Sequence, residues 1–204
     1  MAQFRNYGEL IREKTLWLYI IVAASGAGVF FSFIGGADYV GRNFLGLTPT
    51  QIGLYFIFVS FGYITGNYMS GRFTERVGLE KMMLLGTAVT VIGVLISIAL
   101  FSAGNYHPAS LFVPMLIVGL GNGMSLPSAN AGAVSVRADL AGSASGLTGC
   151  LQVGGGAALS FLAAYFLGPN TGPFPMLAIM LASAVTSLVA SALIYQAPRQ
   201  VEVD

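Results

Sequence analysis

Charged residues divide this chain into four long uncharged segments, and these segments restrict its fold more than any other feature does. They cover residues 15–37, 43–71, 82–136 and 140–198. A helix of about 20 apolar residues spans roughly 30 Å of hydrocarbon, so the first two segments can each cross a bilayer once and the last two can each cross it twice. Composition agrees, because only 8% of the residues are charged and the mean hydropathy is +0.78, whereas soluble domains average about 25% charged residues.

Two stretches rich in Gly, Pro and Asn interrupt the longer segments. They read AGNYHPAS at residues 103–110 and GPNTGPFP at residues 168–175, and such residues end helices and form turns. Transmembrane strands would need an alternation of apolar and polar residues that these segments lack. We therefore predict an all-α integral membrane protein, a single domain over residues 1–204 with cytoplasmic tails at 1–15 and 196–204. Its six predicted transmembrane helices lie near 16–36, 52–70, 82–102, 111–134, 142–166 and 174–195.

The distribution of Lys and Arg predicts the orientation, since positively charged segments stay on the cytoplasmic side. With the N-terminus inside, Arg42 is the only basic residue on the outer side. The inner side carries the other eight: Arg5, Arg12, Lys14, Arg72, Arg76, Lys81, Arg137 and Arg199. We expect both termini in the cytoplasm and no cleaved signal peptide.

Small residues recur at a spacing of four, which lets helix backbones approach closely in lipid. We predict that these stripes pack helices together. The fifth predicted span has Gly142, Gly146, Cys150, Gly154 and Ala158, and the first has Ala24, Gly28, Ser32 and Gly36. Shorter stripes are Gly62, Gly66 and Ser70, and Gly119 with Gly123.

Polar and aromatic side chains within the spans are candidates for a substrate cavity. Asn122, Ser125 and Asn130 flank Pro127 in the fourth span, and Gln152 lies at mid-depth in the fifth. Hydrogen bonding between helices is the alternative reading, and the sequence leaves the two about even, since polar groups at membrane depth serve either purpose. In the second span the aromatic candidates are Tyr55, Phe58 and Tyr63, for which ordinary packing is the alternative.

Asp38 and Arg42 stand four residues apart at the outer end of the first span. This spacing favours an ion pair on a helix, while an acid near the hydrocarbon is also a candidate proton site. His107 lies in an outer turn, far from the GSASG stretch at 142–146 near the inner side, so a serine nucleophile there would lack a base within reach. We predict no enzyme activity, no metal site and, with a single cysteine, no internal disulfide.

The stretch GNYMSGRFTERVGLEK, residues 66–81, concentrates charge between the second and third spans. It resembles the loop signature of the major facilitator superfamily, in which a Gly is followed by Asp-Arg four residues on and then by a Gly and a basic pair. The matching positions are Gly66, Asn67, Gly71, Arg72, Arg76 and Gly78, with Gly71 standing where the signature has its acid.

Three longer stretches resemble the bicyclomycin-resistance branch (Bcr/CflA) of drug:proton antiporters. They are FLGLTPTQIGLYF, NYMSGRFTERVG and GLGNGMSLPSANAGAVSVRADLAGSASGLTGCLQ, which cover most of residues 46–152. The resemblance implies the C-terminal six-helix half of a twelve-span transporter, built as two inverted three-helix repeats. It implies proton-coupled efflux of small amphipathic organic compounds or drugs, with a proton gradient as the energy source and no cofactor.

The implied partners are the lipid bilayer, a small organic substrate, and either the missing N-terminal half or a second copy of the chain, without nucleic acid. Since alternating access rocks two halves about a shared site, we expect the chain to be a fragment of a longer reading frame. We further expect Arg72 and Arg76 to hold the inner helix ends in one state, through Asp139 or the missing half. The alternative is a structural membrane subunit, which needs no cluster of polar groups at a cavity.

Overall fold

A computed structural model of the protein describes Leu10, residues 13–169 and residues 171–197. These residues form six helices that are long and apolar enough to cross a membrane, and no strand occurs among them. The helices are α1 (Lys14–Tyr39), α2 (Pro49–Val77), α3 (Leu79–Ser102), α4 (Pro108–Ser135), α5 (Ala141–Phe166) and α6 (Phe174–Gln196). The all-α, six-span prediction is thus confirmed. Most of the two predicted tails, with Arg5, Arg12 and Arg199, lies outside the described residues.

Local sequence signals set several helix ends. Thr48 caps α2 by accepting a hydrogen bond from the Gln51 amide, and the Gln51 side chain accepts one from the Thr48 amide in return. This reciprocal capping box satisfies amides that have no partner inside the helix. Gly78, with φ at +93°, separates α2 from α3, a backbone conformation that glycine adopts without a steric penalty.

Two helices extend beyond their predicted ends. Helix α2 continues to Val77, so the charged stretch that we had predicted as a loop is helical up to Gly78. No Gly or Pro in a turn conformation stops the helix earlier, and charged side chains are tolerated once the helix leaves the hydrocarbon. Helix α1 continues through Tyr39 into a π-helical turn at Val40–Phe44.

The six helices form two triplets, α1–α3 and α4–α6, whose corresponding helices make equivalent packing contacts. Helix α2 packs mainly on α4, and α5 packs mainly on α1. Likewise α3 packs on α4, α6 packs on α1, and α1 meets α4 at the centre. Exchanging α1–α3 with α4–α6 leaves this pattern unchanged, as two inverted three-helix repeats require.

Burial follows the same pattern. In α4, 72% of the most apolar stretch is buried inside the protein, and in α1 56%. The corresponding figures are 22% for α2 and 17% for α5. Helices α1 and α4 therefore form the centre, while α2 and α5 present most of their surface outward.

Glycines let α2 and α4 cross closely, as the small-residue stripes predicted. A Cβ added at Gly62 would meet the Leu116 carbonyl oxygen, and one at Gly123 would lie 2.8 Å from the backbone nitrogen of Asn67. On α1, a Cβ at Gly36 would lie 2.6 Å from the sulfur of Met176 on α6. These stripes are confirmed as packing surfaces.

The predicted packing stripe on α5 is wrong within this chain. A Cβ at Gly142 or Gly154 would find no other atom within 4 Å, and Cys150 is exposed. Helix α5 instead meets α1 through Gly156, where an added Cβ would meet the Phe31 ring, and through Ser160. Helical periodicity shows which residues share a face, but the direction of that face depends on how the helix is rotated against its neighbours.

Candidate functional site

A cavity of about 380 Å³ opens between α1, α2, α4 and α5. Its walls are mostly apolar, and Phe30 and Phe31 of α1 contribute aromatic surface. No side chain that lines it, among the residues that the structure describes, carries a charge. The polar lining residues are Ser60, Tyr63, Asn122 and Gln152. Such a site suits a largely apolar molecule that a few polar groups orient.

Asn122 lies at the base of this cavity and also joins three helices. Its amide nitrogen donates to the Gly26 carbonyl of α1 at 3.1 Å, and its amide oxygen accepts from the Thr90 hydroxyl of α3 at 3.5 Å. Only 4% of the residue is exposed. Both readings of Asn122 therefore have a structural basis, since it lines the cavity while its hydrogen-bonding groups serve helix packing.

Gln152 differs from Asn122 in having no such partner. It is half-buried on α5, and no side-chain hydrogen bond to it is found in the described part of the chain. Tyr63 is similar, because the residue is 41% exposed and its hydroxyl has no hydrogen-bond partner among the described residues. Ser60 donates to the Phe56 carbonyl of its own helix at 3.2 Å. Polar groups available to a ligand are thus the Tyr63 hydroxyl and the Gln152 amide.

The remaining polar candidates lie outside the cavity wall. Ser125 is 1% exposed, and its hydroxyl donates to the Asn122 carbonyl at 3.5 Å. Its backbone nitrogen would lie 2.7 Å from a Cβ at Gly86, which places it against α3. Asn130 is half-buried two turns beyond Asn122 and does not line the cavity. The four candidates on α4 and α5 therefore do not all converge on one surface.

Tyr55 and Phe58 pack in the aromatic core instead of lining the cavity. The Tyr55 ring stacks on Phe112 of α4 with centroids 4.8 Å apart, and on Phe58 at 6.3 Å. Phe112 in turn contacts Phe33 of α1 edge-on at 6.0 Å. Of the three aromatic candidates on α2, the structure places Tyr63 alone in the cavity.

Asp38 and Arg42 form an ion pair at the α1 end, away from the cavity. The Arg42 Nε donates to Asp38 Oδ2 at 3.0 Å, and the terminal guanidinium nitrogen contacts the same oxygen. Both side chains are about half exposed, at 52% and 54%. The carboxylate is engaged by its neighbour and does not reach the cavity lining.

The opposite end of the bundle, which carries Lys14, Arg72, Arg76, Lys81 and Arg137, is called the basic end below. There Arg137 holds Asp139 through two hydrogen bonds of 2.9 and 2.8 Å, and approaches Glu13 at 3.9 Å. In this structure Asp139 is thus paired with Arg137, and the expectation that Arg72 and Arg76 hold the inner helix ends in one state, through Asp139 or the missing half, stays a prediction. Arg72 and Arg76 are exposed, and no ion pair involves them within the described ranges.

No arrangement of side chains in the described residues matches the serine-nucleophile or metal sites considered from the sequence. His107 caps the start of α4, where its Nδ1 accepts a hydrogen bond from the Ala109 amide at 3.1 Å. The GSASG serines begin α5 at the basic end, across the bundle from His107. Across the described residues, no group of three or more His, Cys, Asp or Glu side chains could hold a metal ion.

The cavity residues that sequence reasoning missed include Phe30, Phe31 and Ser60. The aromatic pair interrupts a glycine-rich stretch of α1, and this was the available signal. Ser60 gave none, since its hydroxyl bonds its own helix as serines commonly do. A sequence alone does not show which flank of α1 faces α2 and α5.

The described residues form six candidate membrane spans with a cavity lined by uncharged side chains, which is the architecture of a polytopic membrane protein. The chain resembles an uncharacterised transporter of Rickettsia bellii, with 26% identity over 84% of this chain and 45% of the relative. It resembles the uncharacterised MFS-type transporter YdgK of Bacillus subtilis, with 26% identity over 91% of the chain and 45% of the relative. A bicyclomycin resistance protein homolog of Haemophilus influenzae is 27% identical over 91% of the chain and 46% of that protein.

The chain is therefore similar to transporters that include an MFS-type member, and its six-helix fold is consistent with half of a major facilitator superfamily fold. It spans about half the length of the curated relatives it matches. No protein-family model matches the chain. No solved structure matches it either.

Proposed function

We propose that the chain is the C-terminal half of a secondary active transporter that exports small amphipathic organic compounds or drugs by alternating access. The observation that carries this proposal is the apolar cavity between α1, α2, α4 and α5, with the free Gln152 amide in its wall. The name of the Haemophilus influenzae relative supports a drug as substrate. A proton gradient is the proposed energy source, without a cofactor.

The second half of the transporter is proposed to cover α2 and α5. Rocking about a site requires two six-helix units, and α2 and α5 are the least buried helices of this chain, on either side of the cavity. Arg72 and Arg76, at the end of α2, are free to pair with acids of that second unit in one state. We place the basic end in the cytoplasm and the protein in the bacterial inner membrane, on the excess of Lys and Arg there.

A structural subunit without transport is the alternative function. Such a subunit needs close helix packing, which the α2–α4 glycines provide. It gives no reason for an amide at membrane depth without a partner among the described residues, since polar groups in hydrocarbon are costly. Gln152 therefore favours transport.

The test joins this chain to the first six helices of the Haemophilus influenzae relative and measures ethidium efflux from energised cells. We expect efflux that a protonophore abolishes and that neither half produces alone. The coding DNA upstream of this chain provides a second measurement, with six further spans in frame expected. Absence of these spans, together with no efflux from the joined protein, would contradict the proposal.

A further inference from the structure

The polar groups of the cavity are unequally available to a ligand. Asn122 uses its amide to bridge α1 and α3, and Ser60 donates to its own helix. Gln152 lines the same cavity and has no hydrogen-bond partner among the described side chains or backbone groups. Its amide therefore offers a donor and an acceptor on neighbouring atoms, whereas the Tyr63 hydroxyl, the other available polar group of the wall, offers both on a single oxygen.

An amide at this position favours a ligand with matching chemistry. A ligand that leaves a polar group of the cavity wall without a hydrogen-bond partner when it displaces water loses affinity, whereas a matched pair recovers that cost. A ligand group with a donor and an acceptor on neighbouring atoms, such as a carboxamide, satisfies both ends of the Gln152 side chain. A ligand with an acceptor alone satisfies only the amide hydrogens.

The rest of the wall selects for an aromatic and uncharged group. Phe30, Phe31 and Tyr63 provide ring surfaces, while no lining residue is an acid or a base. Burying a cation without a counter-ion is costly, and contact with a ring face offsets only part of that cost. Asp38, the acid at the end of α1, is already paired with Arg42.

We propose that this wall of the cavity binds the uncharged, aromatic part of a substrate that carries a carboxamide, and that Gln152 determines this specificity. The inference rests on the proposed function and names the substrate class of the same site. It concerns the group that lies against this chain, so a charge elsewhere on the substrate would face the other half.

The test measures binding of three naphthalene probes to the chain in nanodiscs, with empty nanodiscs subtracted for lipid partitioning. The probes are 2-naphthamide, 2-acetylnaphthalene, which lacks the donor, and the 2-naphthylmethylammonium cation. We expect 2-naphthamide to bind about tenfold more tightly than 2-acetylnaphthalene, as 1.4 kcal/mol corresponds to tenfold, and the cation to bind most weakly. Gln152→Leu should remove the preference for 2-naphthamide, because 2-naphthamide loses two hydrogen bonds to the amide and 2-acetylnaphthalene loses one.

Gln196→Leu is the matched control, because it removes an exposed amide at the end of α6 outside the cavity. It should keep the wild-type preference. Equal affinities in the wild type, a preference that survives Gln152→Leu, strongest binding of the cation, or no saturable binding would each overturn the inference. Efflux by the joined protein is measured separately, so transport with no effect of Gln152 would reject this specificity and leave the proposed function standing.

Discussion

Ser32 shows what an individual polar residue costs inside this bundle. Its side chain is fully buried, and its hydroxyl oxygen is the one buried side-chain polar atom in the described residues that has no hydrogen-bond partner. Ser187 of α6 is buried too, but its hydroxyl donates to the Val22 carbonyl of α1 at 3.1 Å. Both serines are therefore buried, and they differ in that only the Ser187 hydroxyl has a hydrogen-bond partner.

Removing the Ser32 hydroxyl should stabilise the fold. Ser32→Ala deletes an unsatisfied buried group that costs about 1–3 kcal/mol, and we expect the free energy of unfolding in detergent to rise by about 1 kcal/mol. Ser187→Ala is the control, because it loses a hydrogen bond and should lower the same quantity. A decrease for both variants would contradict this assignment of Ser32.

At the scale of helices, the crossing of α2 and α4 depends on backbone proximity. Gly62 and Gly66 of α2 face Gly119 and Gly123 of α4, and added Cβ atoms there would meet backbone. Backbone cannot move aside as a flexible side chain can. Since lipid is as apolar as the side chains, such close packing replaces the hydrophobic drive that holds helices together in water.

Gly62→Ala should therefore separate α2 from α4. We expect a loss of about 1–3 kcal/mol in the free energy of unfolding, the usual cost of overpacking, measured as a lower thermal midpoint in detergent. Gly53→Ala changes the same helix at a position with no atom within 4 Å of the new Cβ. That control should leave the midpoint unchanged or raise it, as alanine favours helix by about 1 kcal/mol over glycine. Equal effects of the two changes would show that propensity, not the crossing, matters.

At the scale of the whole molecule, substitutions on α5 distinguish effects on folding of this chain from effects on its assembly with the second half. A Cβ added at Gly154 meets no atom of the described residues within 4 Å, whereas one at Gly156 meets the Phe31 ring. Gly154→Leu should leave the thermal midpoint of the chain unchanged and reduce efflux by the joined protein at least tenfold, since it would obstruct the second half. Gly156→Leu should lower the midpoint of the chain itself. Normal efflux by Gly154→Leu would show that this face stays exposed in the assembled transporter.

Much of the architecture could be predicted because it depends on local properties. The lengths of the uncharged segments predicted six spans, and Gly and Pro predicted the turns inside the two longer segments. The spacing of small residues predicted packing faces on α2 and α4. The site was less predictable. Tyr63, Asn122 and Gln152 line the cavity, but Tyr55, Phe58, Ser125 and Asn130 do not, because period alone does not state which neighbour a helical face meets. Nor did the sequence show that Asp139 pairs with Arg137, two residues away.

The sequence by itself determined that this chain crosses a membrane six times, because the hydrocarbon thickness fixes how many apolar residues each crossing needs. It also determined which side chains were polar at membrane depth. Only the tertiary structure decided that Asn122 is committed to α1 and α3 while Gln152 remains open to a ligand. The physical reason is that hydrogen-bond satisfaction depends on how helices are rotated and stacked, which involves partners about 30 to 100 residues apart in the chain.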